Sequence, residues 1–381
     1  MSAGTETRVA PTPVAARHDT AASVEERRAL GRQARVLAPR EGVGDWDEHA
    51  RGHDPIGTIL AQNDIRLAEV VPLRHQRIAA SPWNFYRGAA AVMAADLASR
   101  PHSRLEVQLC GDAHVLNFGL WATPERNLNF DLRDFDETLP GPFEWDVARL
   151  AASVVVAARE NGIKKGKSDA AVTAAVDAYR RRMRTYANLA EIDIWYDGMH
   201  LDRFTPVDIV RQVVGVGSVG MVVYLVLFMG RSGTDPLFLQ CKQAGPSVYE
   251  AHTYPSVHDH HGARVIVGKR MVQSATDIFV GWGSLDGRDY YVRQYRDMKI
   301  IPTTDLIAPV LSDFAAACGS TLARAHARSG DPVAIDAYIG KGGRFTEAMR
   351  RFAQRYADQT ERDHERFVSA IRRGRVEVPL D

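Results

Sequence analysis

The chain has 381 residues, room for two or three domain-sized units, and is 45% hydrophobic and 25% charged, so it can bury a sizeable core and is not disordered overall. Lys plus Arg number 48 and Asp plus Glu 47, a net charge of +1. That balance argues against a general nucleic-acid binder, which carries a clear basic excess. Cys110, Cys241 and Cys318 stand far apart with no Cys-x-x-Cys spacing and read as reduced thiols of a cytoplasmic protein. No charged-then-apolar leader opens the chain, and the longest apolar run, "VGMVVYLVLFM" at 219–229, has 11 residues. Neither a signal peptide nor a membrane span is expected from these features.

Residues 1–22 are rich in Ala, Thr and Pro and read as a mobile tail. "SVEERRALGRQARVLAP" (23–39) opens with Ser23 and Glu26 at capping-box spacing and predicts a helix. "FYRGAAAVMAADLAS" (85–99) predicts another from its Ala, Met and Leu content. "FGLWA" and "LNFDLRD" flank "TPERN" and predict a hairpin over 118–134. "WDVARLAASVVVAAREN" (145–161) sets Val147, Leu150, Ala151, Val154 and Val155 on one helical face, and 169–191 predicts the next helix. After about residue 205 the chain turns β-rich. "VVGVGSVGMVVYLVLFMGRSGTDPLFLQCKQA" (213–244) reads as strand, glycine loop, strand, turn and strand. "HTYPSVHDHHG" (252–262) holds four histidines without regular ligand spacing and reads as a solvated loop. "ARVIVGKRMVQ" (263–273) is helix-like and carries no acid, and "DYYVRQYRD" (289–297) predicts a strand. Helices return at 305–330 and 345–374.

Chemistry concentrates in "LCGDAHVLNFGLW" (109–121) and "DLRDFDETLPGPFEWD" (131–146). The predicted hairpin brings Asp134, just past its second strand, back beside Asp112 and Asn117. Carboxylate and carboxamide oxygens together are the ligand set of a hard cation such as Mg²⁺. A further carboxylate beside them can orient or deprotonate a hydroxyl. The bland reading, turn-capping Asp and Asn, weighs equally on composition alone. "GVGSVG" (215–220) lies between strands, where backbone N–H groups can approach phosphate oxygens. No helix obviously follows it, which disfavours a dinucleotide fold. Lys242 lies on the third strand of that run, and a glycine loop followed by a third-strand lysine is the order of protein kinases. Here the acidic loops precede the glycine loop. A circular permutation reconciles the order and predicts helices, then a β-rich insert, then helices.

"GDAHVLNFG" with "DFDETLPGPFEWDVARL" resembles the catalytic and metal-binding region of aminoglycoside phosphotransferase-like kinases. The correspondence falls on Gly111, Asp112, His114 and Asn117, then Asp134 and Asp136, then Pro142 and Asp146. Cys110 stands where that family commonly has histidine. From about residue 70 the chain also resembles a bacterial family defined only as domain of unknown function 2252, through "RIAASPWNFYRGAAAVMAADLA", "GVGSVGMVVYLVLF", "LFLQCKQA", "YYVRQYRDMK" and "LARAHARSGD". The kinase resemblance implies that Asp112 orients or deprotonates the attacking hydroxyl, with His114 beside it in the catalytic loop. Asn117, Asp134 and Asp136 would hold Mg²⁺. Lys242 would pair with the α/β-phosphates of ATP, and Gly215, Gly217, Ser218 and Gly220 would cover them. Glu250 is the candidate to hold the lysine. His326 reads as a packed helix histidine, Phe143 and Trp145 as core, and Asp146 as a helix-start acid that can brace the catalytic loop. Arg87 either pairs near the site or caps the fold.

The expectation is thus an α+β, two-lobed, protein-kinase-like fold in circularly permuted order. Its parts would be a helical part over 23–204, a β-rich nucleotide-binding part over 205–300 and a second helical part over 301–381. It would transfer a phosphoryl group from ATP with Mg²⁺ to a small-molecule or protein hydroxyl, without nucleic-acid or membrane partners. Rival readings are a pseudokinase that binds nucleotide without turnover and a metal-dependent hydrolase built on Asp112, His114, Asp134 and Asp136.

Overall fold

The computed structural model describes residues 22–122, 128–189, 205–211, 220–229, 236–295 and 302–379. Helix α1 (Val24–Leu37) starts at the predicted capping box: Ser23 Oγ accepts from the Glu26 N–H, and the Glu26 carboxylate accepts from the Ser23 N–H. Helices α2 (Pro55–Ala61) and α3 (Val71–Ala79) were not foreseen. Each carries proline in its first turn, where no backbone donor is lost. The Ala-rich segment is two helices, α4 (Pro82–Gly88) and α5 (Ala90–Ala98), not one. Ala89 at φ −116° and ψ 37° leaves the helical range, and the Gly88 carbonyl accepts from the buried Arg74 guanidinium at 3.2 Å.

Strand β1 (Glu106–Gln108) pairs with β4 (Pro140–Pro142), and between them β2 (Phe118–Ala122) and β3 (Leu128–Leu132) form the predicted antiparallel hairpin. Helix α6 (Phe143–Glu160) is buried on nearly every side from Phe143 to Ala158, the mark of a central core helix. Helix α7 (Lys165–Tyr186) follows.

Strands β5 (Thr205–Arg211), β6 (Val223–Met229), β7 (Pro236–Ala244), β8 (Gly281–Leu285) and β9 (Arg288–Gln294) make one antiparallel sheet in the order β5-β6-β7-β9-β8. Strand β8 escaped the sequence reading although its signal was present. Asp286 and Gly287, both with positive φ, form the two-residue turn of a tight hairpin. Helix α8 (His261–Val272) lies between β7 and β8 in the chain. His260, one of the four loop histidines, caps it by accepting from the Ala263 N–H, so that segment is partly structural.

The chain closes with α9 (Thr304–Ile307), α10 (Leu311–Ser329), α11 (Pro332–Ile339) and the 29-residue α12 (Arg344–Arg372). Thr304–Ser329 is the one described helical segment long and apolar enough to cross a bilayer. Its Ala315, Cys318, Leu322, Ala323 and Ala325 are buried inside the protein. The class is α+β, with helices before and after the sheet. A single apolar core joins Val107, Phe118, Phe143, Val154, Ile266, Tyr291 and Leu322, so the sheet, α8 and the central helices are packed as one body.

Helices α7 and α10 meet closely at Gly319, where a Cβ would stand 2.0 Å from the Ala175 carbonyl oxygen. Gly319→Ala therefore forces the helices apart and should lower stability by roughly 1–3 kcal/mol. Urea unfolding measures it, and an unchanged midpoint would contradict this crossing.

Candidate active site

The loop after β1 turns at Gly111, whose φ is +86° and whose added Cβ would lie 2.4 Å from the Glu137 carbonyl oxygen. Only glycine lets the two acidic stretches approach so closely. Asp146, in the first turn of α6 and fully buried, holds this turn: Oδ2 accepts from the Cys110 N–H at 2.7 Å and Oδ1 from the Gly111 N–H at 3.0 Å. His326 of α10 faces Asp146 with Nε2 at 3.2 Å, and its Nδ1 meets Tyr179 Oη at 2.9 Å. Asp146 thus braces the loop as expected, and His326 is packed but also part of that brace. Cys110 is an inert thiol, pushed up by burial and by neighbouring Asp146 and Asp112.

Asn117 is buried and committed. Its Nδ2 donates to the carbonyls of Asp112 at 2.9 Å and Asp134 at 3.0 Å, and its Oδ1 accepts from the Asp134 N–H at 2.8 Å. These partners fix the amide orientation. The residue clamps the two acidic segments together, with its carbonyl oxygen accepting from the backbone donor of one and its amide donating to the carbonyls of both.

Asp112 keeps a side chain that is one-quarter exposed, while Oδ1 accepts from Arg149 Nε at 2.9 Å and Nη2 at 2.7 Å. Arg149, on α6, is itself buried and lies 4.1 Å from the Tyr86 ring centroid. The carboxylate is thereby aimed, with Oδ2 directed elsewhere. His114 Nε2 stands 3.7 Å from that second oxygen. Burial, aided by the charges of Arg87, Arg149 and Arg133, overcomes Asp112 and pushes His114 down to about 3, so the imidazole is neutral at working pH.

Strand periodicity puts Gln240 and Lys242 of β7 and Tyr291 and Arg293 of β9 on one face of the sheet. Lys242 and Tyr291 are cross-strand partners, and both reach Asp136: the ammonium pairs with Oδ2, and the phenol donates to Oδ1 at 2.7 Å. Lys242 also lies 3.7 Å from Asp134 Oδ1. The expected meeting of Lys242 with the acidic loops is present. Burial would raise the Asp134 carboxyl, but Lys242, Arg293 and Arg133 hold it well below the usual carboxylate range. Burial would lower Lys242, but Asp134 and Asp136 hold it above its ordinary range.

The lysine's carboxylate is Asp136 and not Glu250. Glu250 accepts from the Ser247 N–H at 3.0 Å and faces Arg264 at 3.8 Å. Arg264 of α8 binds the backbone carbonyls of Asp136, Thr138 and Gly245, each at 2.8 Å, which locks the sheet side to the acidic loop. Of the glycine stretch, Gly220 accepts from the Leu67 N–H at 2.9 Å. Gly215, Gly217 and Ser218 lie outside the described residues.

Sequence reasoning passed over Glu137, Arg149, Tyr291, Arg66 and Arg74, whereas Arg87, read as pairing near the site or capping the fold, does line the cleft beside the acids. Glu137 sits in "DFDET" with the assigned acids, a signal that was available. It lines a cavity of about 450 Å³ with Gln62, Arg66, Met221, Gly245 and His252, and a neighbouring cleft of about 50 Å³ with Asp112, Asp134 and Asp136. Among the described residues no three His, Cys, Asp or Glu side chains converge as a metal site. Two carboxylates are what Mg²⁺ takes from a protein when phosphate oxygens and water supply the rest. Asp134 and Asp136 fit that donor set, and Asp134 Oδ1 has no hydrogen-bond partner among the described residues.

Asp146→Ala strands two buried N–H groups and should cost about 3 kcal/mol, read by urea unfolding; a cost near zero would remove the brace. Burial raises Glu137 to about 7 from 4.5, against the Val248 N–H and Arg264, which favour its charge. The folded chain therefore keeps a proton that the unfolded chain releases, and stability declines as pH rises from about 4.5 to 7. Glu137→Gln should abolish that decline, gaining on the order of 2 kcal/mol over the parent between pH 5 and 8 in thermal melts. A pH-independent difference would contradict it.

No curated protein and no solved structure matches the chain. A family model matches over residues 66–203 and 197–370, which together take in both acidic stretches, the sheet and α10. On that coverage the chain belongs to the bacterial family of uncharacterized proteins defined by domain of unknown function 2252.

Proposed function

We propose that this chain is an ATP- and Mg²⁺-dependent phosphotransferase of two-lobed, kinase-like design in circularly permuted order, acting on a small-molecule or protein hydroxyl. One observation carries the reading. A third-strand lysine, Lys242, reaches from an antiparallel sheet to Asp136 and Asp134, and Asp112 stands on the same crevice held by Arg149. That is the set of charges phosphoryl transfer needs: a cation for the donor's phosphates, carboxylates for a hard metal, and an aimed acid for the nucleophile. The order of helices, sheet and helices supports the permuted reading, and Ser329 Oγ at the end of α10 accepts from the Gln108 N–H at 3.0 Å, which packs the later helices against the strand before the acidic loop.

Asp112 accepts the proton of the acceptor hydroxyl as its oxygen bonds to the γ-phosphorus, and the bond from phosphorus to the ADP oxygen breaks. Arg149 keeps the carboxylate oriented through the step, and neutral His114 limits water and stray charge beside it. Lys242 binds the nucleotide's phosphates. Asp134 and Asp136 would hold Mg²⁺, which supplies charge neutralisation on the phosphate oxygens.

The pseudokinase reading has its own observation: Asn117 and Lys242 are fully engaged with protein partners, and α8 offers the lysine no acid. Calorimetry with ATP, with and without Mg²⁺, then turnover, separates the readings. Asp134→Asn should weaken Mg-ATP binding by about tenfold, ~1.4 kcal/mol. Asp112→Asn, which keeps an acceptor for Arg149, should leave binding intact and cut transfer on the order of 10²–10⁴-fold. Binding without turnover in the parent favours the pseudokinase. Hydrolysis indifferent to nucleotide favours the metal-dependent hydrolase and overturns the proposal.

A further inference from the structure

The cleft of about 50 Å³ beside the acids has a second wall that the phosphotransfer chemistry does not use. Gln62, Arg66, Arg74, Arg87, Gly88 and Ala90 line it opposite Asp112, Asp134, Asp136 and Glu137. Arg74 is wholly buried. Its Nη2 donates to Gln62 Oε1 at 2.8 Å and to the Gly88 carbonyl, while Nε and Nη1 have no hydrogen-bond partner among the described residues. Arg87 Nε is likewise buried without a hydrogen-bond partner, and its guanidinium lies 6.0 Å from the Trp83 ring centroid.

A buried guanidinium keeps its proton, so an unanswered one is a standing electrostatic cost. Among the described residues no carboxylate stands within salt-bridge distance of Arg74. Burial and the like charge of Arg66 both act against its cationic form. The acids across the cleft already have nearer cations: Asp112 has Arg149, and Asp136 has Lys242. Arg87 feels longer-range attraction from Asp112 and Asp134. Arg74 and Arg87 therefore bring positive charge to the lining of a space fit for one small anion.

We propose that Arg74 and Arg87, with Arg66 beside them, form a phosphate-binding subsite. Guanidinium forks match tetrahedral, doubly charged oxyanions through paired N–H donors, and the volume admits a single such group but no larger body. The adjoining cavity of about 450 Å³, reached past Arg66 and Gln62, houses whatever that group is attached to. Its use as a substrate handle rests on the phosphotransferase reading, whereas anion binding does not. The phosphate comes either from a phosphorylated acceptor or from the terminal phosphate of the nucleotide.

The test uses inorganic phosphate on the full chain without nucleotide or metal, read by thermal shift and calorimetry against sodium chloride at equal ionic strength. Phosphate should raise the melting temperature of the parent and bind at least about tenfold more weakly to Arg74→Met and to Arg87→Met. Arg87→Met, at a partly exposed position, provides the second variant should Arg74→Met misfold. Repeating the titration with Mg²⁺ and a non-hydrolysable ATP analogue assigns the source: undiminished phosphate binding means an acceptor's phosphate, and competition means the nucleotide's. Equal responses of parent and variants to phosphate, or none beyond that to sodium chloride, overturn the subsite. Phosphate binding that survives while Mg-ATP fails to bind would sink the phosphotransferase reading and leave the subsite standing.

Discussion

A lysine ammonium buried to 2% exposure cannot stay charged without carboxylates, and this one finds them 106 residues earlier in the chain. The pairing of Lys242 with Asp136 and Asp134 obliges the five-stranded sheet to dock on the segment that follows the β2–β3 hairpin. The neighbouring face of the sheet follows the same demand. Tyr291 shares Asp136, and Arg293 donates to the Arg133 carbonyl at 3.0 Å. Arg264 closes the arrangement from α8 by taking three backbone carbonyls that would otherwise be buried and unpaired.

The floor of the crevice is held by a different principle. Asp146 and Asn117 spend their side chains on backbone groups of the loops, so that Asp112 and Asp134 can direct theirs into the cleft. Arg149 does for Asp112 what Asp146 does for its backbone: a buried partner fixes one oxygen and leaves the other presented. Such preorganisation is where sites of this type place their binding energy, since charges held in position need not reorganise when the reacting groups change charge.

The arginine wall shows the opposite balance. Arg51, another buried arginine, is answered within the fold by Asp96 and Asp363. Arg74 has no such carboxylate partner among the described residues, and it borders a cleft lined by four acids beside an adjoining cavity.

The sequence by itself determined the elements whose causes are local: the Ser23 capping box, the hairpin around 118–132, the succession of helices, sheet and helices, and Lys242 on a third strand. Spacing and turn chemistry act over a few residues, so they are legible in one dimension. It also brought Asp134 beside Asp112 and Asn117, because a hairpin returns the chain on itself at a predictable distance, and it set Asp146 at a helix start where it could brace the loop. Tertiary structure alone decided which partner each charge takes. Asp136 serves Lys242 where Glu250 was expected, and Asn117 becomes a clamp because the Asp134 amide lies within reach of its carbonyl. Arg74, in an unremarked helix, becomes a buried cation at a cleft. Those outcomes depend on distances between separate segments, 106 residues apart for Lys242 and Asp136, set by how α6, α8 and the sheet pack into one core, and no local pattern carries that information.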